Sequence, residues 1–200
     1  MKSSDFNLSK ELKFNLETGI TSFQQSRLVI MDANSMGLLR QKLIDTLGQD
    51  KARDLFLKFG YQNGYSDFMQ MKLAYRFDSE MDLLASGPVM HTWEGIVQAT
   101  PLELRFDRST GEFYFPALWK NSWEAEQHLC FNEASKQPVC WSLMGYASGW
   151  STAFFGKPLL AIERACAGRG DDHCEVIIQP PSAFGQEAAP YVEAYREFAA

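Results

Sequence analysis

Three cysteines and one glutamate limit how the second half of this chain can fold. They are spaced as Cys140-x22-Glu163-x2-Cys166-x7-Cys174. Cys166 and Cys174 flank a Gly-Arg-Gly-Asp-Asp turn, so a hairpin over this stretch lets their thiols meet at its base. Three thiolates and a carboxylate complete a tetrahedral shell for zinc, with no position left for a substrate. The spacing also sets a condition. Residues three apart on a regular strand face opposite ways, so a bulge or strand end is required between Glu163 and Cys166. Cys130 and His173 are rival ligands, and cysteines buried without a metal are the alternative reading, because the chain has no CxxC pair. The lack of an apolar stretch behind Met1-Lys2-Ser3-Ser4-Asp5 implies a cytoplasmic protein, in which thiols stay reduced.

The pattern along the chain is helical first and then extended. Residues 1–30 show little periodicity and read as an arm. Leu39, Leu43 and Leu47 recur every four residues before Gly48, which predicts a helix over 34–47. Two more helices are expected over 50–59, ending at Gly60, and over 66–77. After Gly87-Pro88 the apolar residues alternate. This predicts a strand over 89–99 that carries Val89, His91, Trp93 and Val97 on one face, then strands over 102–106 and 112–119. Asn121 and Glu124 fit a helix start, with Glu124 and Glu126 on a solvated face and His128 toward solvent. A helix over 138–154 follows, with Gly145 and Gly149 allowing close backbone approach, and then the hairpin 159–167/174–178. Beyond Pro180-Pro181 the sequence reads as the start of a linker. These elements make an α+β fold with an antiparallel sheet.

Composition removes several functions. Nineteen basic against 25 acidic residues give a net charge of −6, with no basic stripe, which argues against a nucleic-acid partner. The longest uncharged stretch, 137–156, holds Ser142, Gly145, Ser148, Gly149, Ser151 and Thr152 and makes a poor membrane span. No Gly-rich phosphate loop and no Ser-His-Asp arrangement is present. The 14% aromatic content suits either a packed core or an aromatic-lined cavity. His91 and Trp119 are the polar-tipped residues among the apolar ones there, and each reads by default as core.

Three segments carry a family resemblance: Gly87-Pro88-Val89-Met90-His91-Thr92-Trp93-Glu94-Gly95, Trp119-Lys120-Asn121-Ser122-Trp123-Glu124, and the run from Pro138 through Cys140 to Trp150. Together with the Asp-Asp-His-Cys ending at Cys174, they resemble the N-terminal sensory domain of sigma-54-dependent activators of aromatic catabolism, over about residues 20–180. From about residue 135 the chain also resembles a vinyl-reductase-type module. The resemblance implies a structural zinc on Cys140, Glu163, Cys166 and Cys174, and contacts from His91 and Trp119 to a phenol hydroxyl. Arg169 stands where relatives often carry a further Cys. Leu84, Ala117, Met144 and Ala161 stand where phenol sensors tend to have bulkier aromatic residues, which implies an effector bulkier than phenol. The implied organisation is an arm (1–20), an effector-binding domain (21–130), a zinc module (131–180) and a linker start (181–200). Implied too are a homodimer and a downstream AAA+ ATPase with DNA-binding helices in the same full-length protein. Two rival functions are a vinyl-reductase-type enzyme or tetrapyrrole-binding accessory protein, and a zinc-stabilised dimerisation domain without a small ligand.

Overall fold

Phe6, Leu8 and Phe23 are almost fully buried, so the first thirty residues fold onto the body instead of forming an arm. This is a correction. A 3₁₀ turn and α1 (Leu8–Glu11) precede a three-stranded antiparallel sheet of β1 (Lys13–Asn15), β2 (Ile20–Phe23) and β3 (Ser26–Leu28). Phe6 packs edge-on to Phe23 (6.0 Å) and to Tyr75 (5.8 Å). Strands of three or four residues are too short to show a period, and so the sequence pattern missed them. The computed structural model describes residues 1–196.

Asp32 accepts a hydrogen bond from the Ser35 amide (2.9 Å) and opens α2 (Ala33–Leu47). Its Leu39 and Leu47 are substantially exposed, and the residues it buries are Gly37 and Arg40. The two helices expected next are one, α3 (Gln49–Ala74), which runs through Gly60 without breaking. Leu55 and Phe59 are exposed, while Phe56, Phe68 and Met71 are buried.

Gly60 and Gly64 exist for contact with α6 (Trp141–Phe155). A Cβ on Gly60 would overlap the Ser142 carbonyl oxygen, and one on Gly64 would overlap that of Tyr146. The reciprocal positions are Gly145, pressed against the Leu57 carbonyl oxygen, and Gly149, against that of Tyr61. Four glycines thus bring two backbones together, and no side chain can yield to relieve an added methyl. Gly149→Ala should therefore cost about 1–3 kcal/mol through overpacking. Urea denaturation reads this as a lowered midpoint at an unchanged slope.

Between these helices in sequence comes α4 (Glu80–Trp93), opened by Ser79, whose hydroxyl accepts from the Asp82 amide (3.0 Å). His91 therefore sits on a helix, correcting the strand expected over 89–99. The apolar residues at 89, 91, 93 and 97 mimicked alternation, and Gly87-Pro88 looked like a break. Pro88 lacks an N–H and so releases the Leu84 carbonyl, which accepts instead from the Trp150 indole (3.1 Å). That bond lets the helix continue.

The main sheet has the order β4 (Gln98–Pro101), β6 (Glu112–Lys120), β8 (Cys174–Gln179), β7 (Leu160–Ala165), all antiparallel. β5 (Arg105–Asp107) pairs with the start of β6. α5 (Trp123–Phe131) lies between β6 and α6 in sequence. Its cap is Ser122, which accepts from the Ala125 amide, whereas Asn121 adopts a left-handed φ of 56°. Finally, α7 (Pro181–Phe184) and α8 (Ala189–Ala194) fold back, with the Tyr195 ring 4.8 Å from Tyr61. Residues 181–196 are thus docked, not a free linker start. Residues 197–200 of that expected linker lie outside the described residues. Among the described residues no helix is long and apolar enough to cross a membrane.

Candidate ligand cavity and metal centre

Strand register builds both parts of the site on one sheet face. Ala99 pairs with Trp119, and Trp119 with Cys174. One register line further along, Pro101 pairs with Ala117, Ala117 with Val176, and Val176 with Glu163. Side chains two apart on a strand share a face, so Trp119, Ala117, Val176, Glu163 and Cys174 all project the same way. A cavity and a metal shell are therefore neighbours on the sheet.

The cavity lies between this face, α4 and α6, and its volume is about 30 Å³. Gly87, Pro88 and His91 come from α4, and Tyr146 and Trp150 from α6. Ala99, Phe115, Ala117, Trp119, Val176 and Ile178 come from the sheet. Of the expected pocket residues, His91, Trp119 and Ala117 line it. Leu84, Met144 and Ala161 are buried around it without being among its lining residues. The Leu84 carbonyl accepts from Trp150, the Met144 sulfur accepts from the Glu163 amide (3.4 Å), and the Ala161 amide donates to Ser148 (2.8 Å).

His91 is 6% exposed, and burial drives its pKa down to about 3. Its imidazole is neutral at pH 7, offering one donor and one acceptor. Its ring centroid lies 3.7 Å from that of Tyr146, which in turn stacks on Trp150 (5.9 Å). The Trp119 indole can only donate. The sequence reading missed Tyr146 and Trp150. The available signal was their four-residue spacing, about 100° around the same helix from the glycine face.

Behind Tyr146, two acidic groups lie in poorly solvated surroundings. Burial raises Asp67 to about 6, partly offset by the Tyr146 hydroxyl, and raises Glu94 to about 8, helped by repulsion from Asp67. Both folded pKa values exceed their ordinary ones, so these two carboxyls hold more protons in the folded state than in the unfolded one between about pH 5 and 8, which outweighs the one proton that neutral His91 forgoes below about pH 6.5. Stability should fall as pH rises through that window. Urea midpoints measured from pH 5 to 8 check this, and Glu94→Gln should flatten the upper part of the curve.

The four candidate ligands come together. Cys140 precedes α6, Glu163 lies on β7, Cys166 follows it, and Cys174 opens β8. Their ligand atoms lie within 4.8 Å of one another and all four residues are buried. The Cys140 sulfur is 3.9 Å from that of Cys166 and 3.8 Å from that of Cys174. A tetrahedron with metal–sulfur bonds of about 2.3 Å has sulfur–sulfur edges of about 3.8 Å, so the spacing suits a bound ion. The Glu163 Oε1 atom is buried without a hydrogen bond, as an atom awaiting a cation would be. The required irregularity is present too: the β7–β8 register shifts between Glu163 and Ala165, and the strand ends there. Backbone amides support the sulfurs, Val139 donating to Cys166 (3.5 Å) and Ala167 to Cys174 (3.2 Å). Cys130 is exposed and outside the cluster, and His173 is not part of it.

Glu124 is the clearest miss, expected in solvent and found fully buried. Its Oε2 accepts from the amides of Ser142 (2.7 Å) and Leu143 (3.1 Å), capping α6 from a distance. Its Oε1 lies 3.8 Å from Arg40 Nε. Arg40 also donates to the Val139 carbonyl (3.1 Å) and lies over the Trp141 ring (4.1 Å). The pair clamps the segment that presents Cys140. His128, also expected in solvent, is partly buried, one ring nitrogen 3.2 Å from the Glu133 carbonyl.

Comparison with known proteins agrees with this architecture. A family model described as activator of aromatic catabolism matches residues 7–107, and the model of the vinyl-reductase-type domain matches 119–180. The chain is 34% identical to the phenol regulator MopR of Acinetobacter guillouiae over 88% of its length. It is 28% identical to the transcriptional regulatory protein XylR of Pseudomonas putida over 94%. It spans only 31% and 33% of those two relatives. In three dimensions it is similar to the phenol-responsive sensory domain of the transcription activator PoxR, crystallised with phenol. The TM-score is 0.89 at 31% identity, covering 96% of this chain and 94% of that one.

Proposed function

Because this chain belongs to the family of activators of aromatic catabolism, we propose that it is a sensory domain that binds a phenolic effector in the cavity beside His91. The observation that carries the reading is the placement of the buried His91 imidazole and the Trp119 indole in the lining of one largely apolar cavity. A phenol hydroxyl both donates and accepts. His91 takes its proton as acceptor, and the Trp119 N–H donates to its oxygen. A ring without a hydroxyl leaves these groups buried and unpaired, at about 1–3 kcal/mol each. The ring supplies the affinity and the two polar groups supply the selection.

His91→Ala should weaken phenol by about 1–3 kcal/mol and leave toluene unchanged or improved. Calorimetry on the pair checks it, and equal losses would make His91 a packing residue.

Binding a ring requires the cavity to grow, since benzene occupies an engineered cavity of about 150 Å³. Tyr146 rests on His91 and is the wall that has to move. Tyr146 belongs to α6, and Tyr195 of the docked C-terminal segment lies against Tyr61 on α3, the partner of α6. Effector binding therefore shifts the population between two arrangements of these helices, by no more than its differential affinity for them. An attached AAA+ ATPase and its DNA-binding helices are the output. Ala117 on the cavity wall supports phenols bulkier than phenol as effectors, with Leu84, Met144 and Ala161 as an outer ring of size-setting positions. On this reading the chain is a homodimeric regulator, not an enzyme. The effector is held jointly by residues of 21–130 and of 131–180, because Tyr146, Trp150, Val176 and Ile178 share the cavity wall with His91 and Trp119, and 131–180 also hold a structural zinc on Cys140, Glu163, Cys166 and Cys174. Zinc fits the three-sulfur, one-carboxylate donor set, and its chemistry there is structural: with four protein ligands it keeps no open position.

A further inference from the structure

We propose that the aromatic ligand reaches the buried cavity through a groove between α4 and the edge strand β4, with Ala99 as the threshold. This rests on the cavity reading given above and adds its route of entry.

The groove is an outer hollow of about 350 Å³ lined by Val89, Thr92, Trp93 and Ala99. Ala99 lines the inner cavity as well, and the α4 residues of the two spaces interleave, Pro88 and His91 inside, Val89 and Thr92 outside. Ala99 is the residue that the two linings share. The seam at Ala99 is lightly tied. β4 is the four-residue edge of the sheet, and the Ala99 amide on its free side is tied only by a long bond to the Thr92 hydroxyl (3.4 Å). That hydroxyl meanwhile donates to the Pro88 carbonyl (2.9 Å). Gly95, at φ 72°, joins the helix to the strand and has open space around it. Pro88 removes one rung from α4 at the same level. A short edge strand, a glycine joint and a helix missing a rung let the seam part at the margin of the core, where Val89 and Ala99 are only partly buried.

The chemistry of the groove selects what passes. Val89, the Thr92 methyl and the half-exposed Trp93 ring offer apolar and aromatic contact and no charge, which suits a neutral aromatic and not a phenolate. Trp93 is held by its indole donating to the Phe6 carbonyl (3.1 Å), so its ring is a fixed rail.

A gate on a route changes association and dissociation together and leaves equilibrium affinity alone. The test is stopped-flow phenol binding, followed by protein fluorescence, on the intact domain with its metal. Val89→Trp fills the groove and should slow both rate constants about tenfold with Kd held within about twofold, the signature of a kinetic gate. Trp93→Ala widens it and should speed both. Leu73→Trp, on the exposed face of α3, should do neither. Unchanged rates in both groove variants would overturn the route, as would a loss in Val89→Trp carried by affinity alone. If the unaltered domain binds no phenol by calorimetry, the cavity reading itself falls and the route with it. Normal binding with unaltered rates removes the route alone.

Discussion

Cys174→Ser, or extraction of the metal by a strong chelator, is expected to unfold the domain and not merely weaken its ligand binding. The four candidate ligands come from the start of α6, from β7 and the turn after it, and from the start of β8, so a bound ion would tie together elements that are distant in sequence. Without it, burial favours the protonated, uncharged forms of Cys140 and Glu163, while hydrogen bonds from Cys140 and Cys174 hold the Cys166 thiol well below its ordinary range. An ion that matches these charges contributes binding energy to folding on the order of 10 kcal/mol, comparable to the whole stability of a domain. Circular dichroism, with metal content by mass spectrometry, checks the result. Because Trp119 pairs with Cys174 across the sheet, the cavity should be lost in the same transition.

Arg40→Ala is the second large effect. It leaves the Glu124 carboxylate fully buried without the guanidinium and removes the tie to the Val139 carbonyl. Breaking a buried pair by deleting one partner costs about 3–5 kcal/mol. Glu124→Ala should cost a similar amount for a different reason, because two α6 amides lose their acceptor. Urea denaturation of the metal-bound protein measures both. A loss below about 1 kcal/mol in each, the range of an exposed ion pair, would show that the clamp is redundant.

The clustering of Cys140, Glu163, Cys166 and Cys174 was legible because it depends on residue type and spacing, and the turn between Cys166 and Cys174 is local. Even the irregularity after Glu163 followed from strand geometry alone. His91 was found as a residue but placed on the wrong element. Four apolar residues happened to alternate, and the indole that rescues the Pro88 break comes from Trp150, far along the chain. Glu124 looked like a solvated residue because the groups that need it, two amides of α6 and a guanidinium of α2, are distant in sequence. The single long helix α3 was read as two for a similar reason. Gly60 is a breaker by propensity, and only the opposing glycines of α6 show why it is required. Local signals gave residue types and short turns, whereas the errors at His91, Glu124 and α3 fall where a partner from another element overrides local preference, and the small N-terminal sheet was missed because its strands are too short to show a period.

The central claim is that the cavity beside His91 recognises a ring bearing a hydroxyl. Calorimetric titration of the metal-bound domain with phenol, an alkylphenol and toluene tests it most directly. The account predicts saturable one-to-one binding of both phenols, with the alkylphenol at least as tight as phenol and toluene weaker by about 2–6 kcal/mol, about 1–3 for each of His91 and Trp119 left unpaired. Toluene binding as tightly as phenol, or no binding of either phenol, would contradict it.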